Sequence, residues 1–129
     1  MEARSDPLPR AVAAAVGALV GALALAVVLL RPRRFVVADR SMEPTLVAGQ
    51  GLLAVRSRRA RPGELRCLEL PGRAGFWLVK RVATVAPDGA TMHVASDHPT
   101  AGAVDSRRFG AVPVAGARRV VVVVPRRLM

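Results

Sequence analysis

Of the twenty basic residues in this chain of 129, only Lys80 is lysine; the rest are arginine. Codon supply from a GC-rich genome accounts for the arginine excess, but it leaves the single lysine standing out. Lysine can lose its proton near neutral pH when it is taken out of water, and arginine effectively cannot. Lys80 lies in Phe76-Trp77-Leu78-Val79-Lys80-Arg81-Val82, a run that reads as a strand. Alternation puts Phe76, Leu78, Lys80 and Val82 on one face and Trp77, Val79 and Arg81 on the other. If the first face is buried, desolvation lowers the lysine pKa and makes a neutral amine available as a general base. If it faces solvent, Lys80 is an ordinary surface cation or snorkels at a sheet edge.

Ser41-Met42-Glu43-Pro44-Thr45-Leu46 is the second candidate. A serine at the end of a strand, followed by a turn that Pro44 restricts, can present its hydroxyl. Serine is a weak nucleophile without a base in hydrogen-bond reach. His93 and His98 stand in no supporting pattern, whereas a Ser–Lys dyad uses residues the chain has. The third candidate runs from Ser96-Asp97-His98-Pro99 to Asp105-Ser106-Arg107-Arg108-Phe109-Gly110. There Asp105 and Arg107 can pair across a tight turn and brace the loop, with Ser106 adding a hydroxyl; read plainly, it is a polar loop with a surface ion pair. A metal site from His93, His98 and Asp97 lacks further Cys or His ligands, so none is expected.

These residues need a scaffold and a location. Residues 11–30, AVAAAVGALVGALALAVVLL, contain no charged or polar side chain. A helix of that length spans roughly 30 Å, about one bilayer core. The run is longer than the h-region of a cleaved signal peptide and ends in RPRRF with no cleavage site beyond it, so it reads as an uncleaved anchor. Gly17 and Gly21 make a GxxxG, a spacing that can pair helices and that a Gly- and Ala-rich segment also produces by chance. Residues 1–10 form a flank and 31–34 a basic linker. The formal charge of +11 falls wholly beyond residue 30, because Arg4 and Arg10 balance Glu2 and Asp6. Arg31, Arg33, Arg34 and Arg40 after the span favour a cytoplasmic C-terminal side by the positive-inside rule.

Residues 35–129 are long enough for one compact domain. A 52% hydrophobic content excludes disorder, and a lone Cys67 excludes a disulfide scaffold. Aromatic residues at 3% with no Tyr speak against a base-stacking nucleic-acid binder. RSRRARPG at 56–63 reads as a solvated loop, with anionic lipid headgroups as the better specific partner beside an anchor. Val-rich strands are expected at Arg34–Ala38, Gly51–Arg56, Glu64–Leu70, Gly75–Val85, Ala90–Ala95 and Arg118–Val124, with Gly- and Pro-containing turns between them. A helical turn is expected only within Val112–Arg119. The fold class is mostly β: an N-terminal transmembrane helix followed by a compact, barrel-like β domain.

Taken in order, these segments resemble the type I signal peptidases, a family of membrane-anchored serine proteases. SMEPTL at 41–46 is similar to the family's nucleophile box, VKRV at 79–82 to its general-base box, and DSRRFGAVP at 105–113 to its C-terminal box. SDHP at 96–99 stands where the family usually has Gly-Asp-Asn, and LVAGQGLLAVR and RPGELRCLELPG resemble the stretches between boxes. The likeness covers roughly residues 35–124. Single boxes are weak signals; three in order behind a span are a strong one.

The resemblance implies Ser41 as nucleophile, Lys80 as general base and the Ser41 backbone N–H as an oxyanion donor. It also implies that Met42 packs near the site, that Asp105 and Arg107 support the base-bearing region, and that Asp97 belongs to the same loop. Asp39 stands two before the nucleophile, where the family often has Ser or Gly, so a hydroxyl donor to the oxyanion is missing. Ala103 falls near where a Ser commonly orients the lysine, leaving Ser106 or a water for that role. The implied activity is removal of signal peptides from exported preproteins, without cofactor or metal, at the plasma membrane and from its outer face. Ser41 follows the span by eleven residues, so it lies within roughly 40 Å of the membrane surface. A dedicated maturation protease of the same superfamily, such as one trimming a nickel-type superoxide dismutase, is the second reading. An inactive membrane-anchored binding domain is the third.

Overall fold

The computed structural model describes residues 9–100 and 104–129. The chain forms two compact units, Met1–Arg31 and Pro32–Met129. In the first, helix α1 (Arg10–Leu30) has none of its apolar side chains buried against protein. At 21 residues, with a mean hydropathy of 2.7 across its apolar 18-residue stretch, it is long and apolar enough to cross a membrane. Arg31 ends it in a left-handed conformation, its backbone N–H donating to the Val27 carbonyl.

The second unit is one antiparallel sheet of seven strands: β1 (Arg33–Val36), β2 (Gly51–Arg56), β3 (Leu65–Glu69), β4 (Trp77–Val85), β5 (Thr91–Ala95), β6 (Val112–Pro113) and β7 (Arg118–Val124). Their spatial order is β1-β2-β7-β3-β4-β5-β6. The strand segments expected from sequence are all present to within two residues at either end. The two-residue β6 was not expected, and the helical turn is displaced. It lies at Ser106–Phe109 (α2), while 112–119 holds β6 and the start of β7. The Asp105 side chain caps α2 by accepting from the Arg107 backbone N–H, so the polar loop supplies the start signal that the apolar 112–119 stretch lacks.

Two apolar clusters flank the sheet. Leu68, Leu78, Val82, Met92, Val94, Val112, Val114 and Ala117 form one. Val37, Met42, Leu46, Leu52, Ala54 and Cys67 form the other, joined by Phe35, Trp77 and Val79. The alternation along β4 therefore feeds both: Leu78 and Val82 point into the first cluster, Trp77 and Val79 against the second. Past β1 the chain stays against β2, with Val37 N–H donating to Gln50 C=O and Gly49 N–H to Val37 C=O. Gly49 adopts φ +93°, and a Cβ there would meet the Arg126 side chain at 3.1 Å. Glycine thus lets the chain return from the 41–46 turn into β2.

Arg66 on β3 is fully buried. Its guanidinium donates to the carbonyls of Ser57 (2.7 Å), Arg59 (2.7 Å) and Ala117 (3.0 Å) and pairs with Glu64 at 3.1 Å. The arginine-rich 56–63 loop is pinned by this clamp, which offsets the cost of burying the charge. Arg66→Ala strands those carbonyls and the Glu64 carboxylate. It is expected to lower the unfolding free energy by about 3 kcal/mol, read by urea denaturation of the full chain in detergent.

Candidate active site

The turn after β1 and the middle of β4 meet at one point. Lys80 Nζ lies 2.8 Å from Ser41 Oγ, a contact between residues 39 apart in sequence. Lys80 is 1% exposed and Ser41 3%. The face of β4 carrying Lys80 is the buried one, because Leu78 and Val82 on either side of it are core residues. Burial pushes the Lys80 ammonium below its ordinary pKa, while the nearby Asp39 and Asp105 carboxylates act to raise it; desolvation prevails.

The serine's turn is held from several sides. Met42 and Leu46 are buried in the second cluster, and Leu46 N–H donates to Met42 C=O. His98 N–H donates to the Ser41 carbonyl at 2.8 Å, and Asp97 N–H reaches Met42 Sδ at 3.4 Å. Asp97 receives a two-pronged contact from Arg81, Nε to Oδ1 at 2.8 Å and Nη2 to Oδ2 at 2.7 Å, and also accepts from the Thr45 hydroxyl. The Arg81 guanidinium holds the Asp97 carboxyl below the usual carboxylate range. Lys80 and Arg81, adjacent on β4, thus serve opposite faces: Lys80 reaches Ser41, and Arg81 straps the 96–99 segment to the serine's turn. Arg81 and Thr45 escaped the sequence reading, since a pairing across sixteen residues leaves no local signal.

Asp105 is fully buried. Its carboxylate pairs with Arg107 (Nε to Oδ1 and Nη2 to Oδ2, both 3.0 Å) and accepts from the backbone N–H of Ser96 and of Arg107. Burial pushes this carboxyl up, but the Arg107 guanidinium and the two backbone donors together hold it at about 2. The Asp105–Arg107 brace is therefore as expected. Ser106, named with a water as the group that would hold Lys80, instead accepts from Val94 N–H at 2.7 Å and joins α2 to β5. Ala103 lies outside the described residues. A hydroxyl that sequence reading passed over is Ser96 Oγ, buried and without a hydrogen-bond partner among the described residues. One step beyond the last paired residues, Arg81 and Ala95, the register sets Ser96 against Lys80.

Asp39 is the other residue whose contacts the sequence does not reveal. Its Oδ1 accepts from both the hydroxyl (2.8 Å) and the backbone N–H (3.1 Å) of Ser41. The N–H expected to serve an oxyanion is thus engaged by a carboxylate. Cys67 offers no competing nucleophile, because burial pushes its thiol up to about 12. Among the described residues no group of three or more His, Cys, Asp or Glu side chains is placed to hold a metal ion. A buried serine hydroxyl against a desolvated amine can perform nucleophilic acyl transfer, with the amine moving the proton.

Asp105 titrates lower in the folded chain than its ordinary 3.8, so its stabilising contribution is complete above that value and is lost as pH falls through about 2. Thermal stability is expected to drop over this acid range in the wild type. In Asp105→Asn the acid slope is expected to be shallower from a lower starting stability, as followed by circular dichroism against pH.

Comparison of the chain with protein-family models and with curated proteins finds no match to either.

Proposed function

We propose that this protein is a membrane-anchored serine endopeptidase that removes signal peptides from exported preproteins, with Ser41 as nucleophile and Lys80 as general base. The observation that carries this reading is the 2.8 Å contact between Lys80 Nζ and Ser41 Oγ, with both groups out of water. Neutral Lys80 takes the Ser41 proton as Oγ bonds to the scissile carbonyl carbon. Collapse breaks the C–N bond, and Lys80 returns the proton to the leaving amine. Water then attacks the acyl ester, its proton passing to Lys80, and the carboxyl product leaves with Ser41 restored. Neither cofactor nor metal enters these steps.

The surroundings support a small residue beside the scissile bond. A cavity of about 90 Å³ is lined by Val37, Ala38, Asp39, Trp77 and Val79, next to the nucleophile's turn. The site meets this cavity through Asp39; Ser41 and Lys80 line neither it nor the larger depressions of about 310, 480 and 590 Å³. The fold in this reading is a curled, barrel-like catalytic core on a single-pass plasma-membrane anchor, facing the outside, where signal peptides present their cleavage sites. Arg33 and Arg40, among the arginines after the span that by count favour the cytoplasm, have partners inside the domain. Arg33 stacks over Trp77 at 4.7 Å, and Arg40 pairs with Glu43 at 3.3 Å. The exposed arginines of residues 56–63 suit anionic headgroups.

The test is cleavage of a signal-peptide-bearing preprotein by the purified full chain in detergent. Wild type is expected to cut after a small residue. Ser41→Ala and Lys80→Arg, each folded, are expected to lose at least about 10³-fold in rate. Arginine keeps the charge but cannot be the neutral base, so a fully active Lys80→Arg would overturn the dyad. Because the base must be neutral, kcat/KM is expected to rise with pH through a titration below the ordinary lysine value. A flat profile in that range would argue for a different base.

A further inference from the structure

The hydrogen-bond directions at Ser41 are determined by counting protons. An ionised carboxylate only accepts, so the Ser41 hydroxyl donates its one proton to Asp39 Oδ1 at 2.8 Å. The Lys80 contact at 2.8 Å must then run the other way, with Nζ donating to Oγ. In this arrangement the amine's lone pair is not aimed at the hydroxyl proton. The same Asp39 oxygen also accepts from the Ser41 N–H at 3.1 Å, the donor that an oxyanion would need. A carboxylate there repels the negative charge that develops on attack. It also favours the ammonium form of Lys80, working against the burial that makes a base of it.

We propose that Asp39 is a built-in brake on the dyad: its carboxylate locks Ser41 in a resting arrangement and must swing away before acylation. The inference rests on the Ser41–Lys80 reading of the site. Asp39 is exposed while Ser41 is buried, so the carboxylate has solvent to move into without disturbing the core. Its departure frees the Ser41 N–H for the substrate oxygen and lets the hydroxyl turn toward a neutral Lys80. The other charged groups near Lys80 do not share this role. Asp105 is tied to Arg107 and to the Ser96 N–H, and the cross-strand neighbour Arg66 is tied to loop carbonyls and Glu64.

The experiment compares wild type with Asp39→Gly and Asp39→Ser in the full chain, in detergent, by two readouts. The first is single-turnover cleavage of a preprotein, where release of the brake is expected to raise the acylation rate by at least about fivefold. The second is titration of the lysine side chain by ¹³C NMR after labelling at Cε, which reports Lys80 alone because it is the only lysine. Removing the carboxylate is expected to lower the Lys80 pKa in both variants. Folded variants that cleave more slowly than an active wild type would overturn the brake and make Asp39 an aid to catalysis. If neither wild type nor variants cut any preprotein, the peptidase reading fails. The titration still decides the contact in that case: a lowered Lys80 pKa upholds the Asp39 lock, and an unchanged one removes it.

Discussion

Lys80 is a primary amine carried on a nine-residue strand into a core of Leu78 and Val82, with a serine hydroxyl as its direct hydrogen-bond partner. Burying a cation is costly unless it is paired or gives up its proton, and that cost shapes the environment of this site. The strand must sit inside the sheet, between β3 and β5, for its face to be covered. The serine must be delivered to the end of a long, flexible side chain, and that requires its turn to be anchored. The carboxylates within electrostatic range must be balanced so that they do not simply hold the amine charged. Asp105 meets this requirement by being committed to Arg107 and two backbone donors.

The anchoring of the serine's turn has a mechanical logic. Ser41 lies beyond the end of an edge strand, where backbone pairing gives out and a turn would be free to move. Instead it is fastened below by Met42 and Leu46 in the apolar cluster and on one side by the His98 N–H. The Thr45–Asp97–Arg81 chain closes the other side. Arg81 is next to Lys80 on β4, so the strand that carries Lys80 also carries the strap that holds Ser41 near it. A shift of β4 would carry both together, which preserves their separation better than two independent supports would.

Electrostatics at the site are divided between groups that are permanently engaged and one that is not. Asp97 and Asp105 each face a guanidinium in a two-pronged geometry and act as structural joints. Asp39 faces no guanidinium among the described contacts; it rests on the nucleophile itself. In the proposed mechanism, such a carboxylate beside the backbone donor that acyl transfer would need acts on the chemistry rather than on the fold.

Much of this was legible in the residues. Val-rich runs between Gly- and Pro-containing turns marked the strands, and alternation marked the faces of β4, since those signals are local. A twenty-residue apolar run marked the helix. The uniqueness of Lys80 and the Ser-Met-x-Pro turn singled out two groups that the structure brings within 2.8 Å of each other, and the Asp105–Arg107 brace followed from proximity along the chain. What only the tertiary structure decided was partnership across distance: that β4 turns the Lys80 face inward, that Arg81 closes on Asp97, that Ser106 bonds to Val94 rather than to Lys80, and that Asp39 accepts both donors of Ser41. The short helix lies outside the apolar 112–119 stretch, at Ser106–Phe109, where Asp105 caps it locally and the Ser96 N–H, from just past the end of β5, meets the same carboxylate. Side-chain type and local spacing are written in the chain; which donor meets which acceptor depends on the register and burial of strands far apart in sequence.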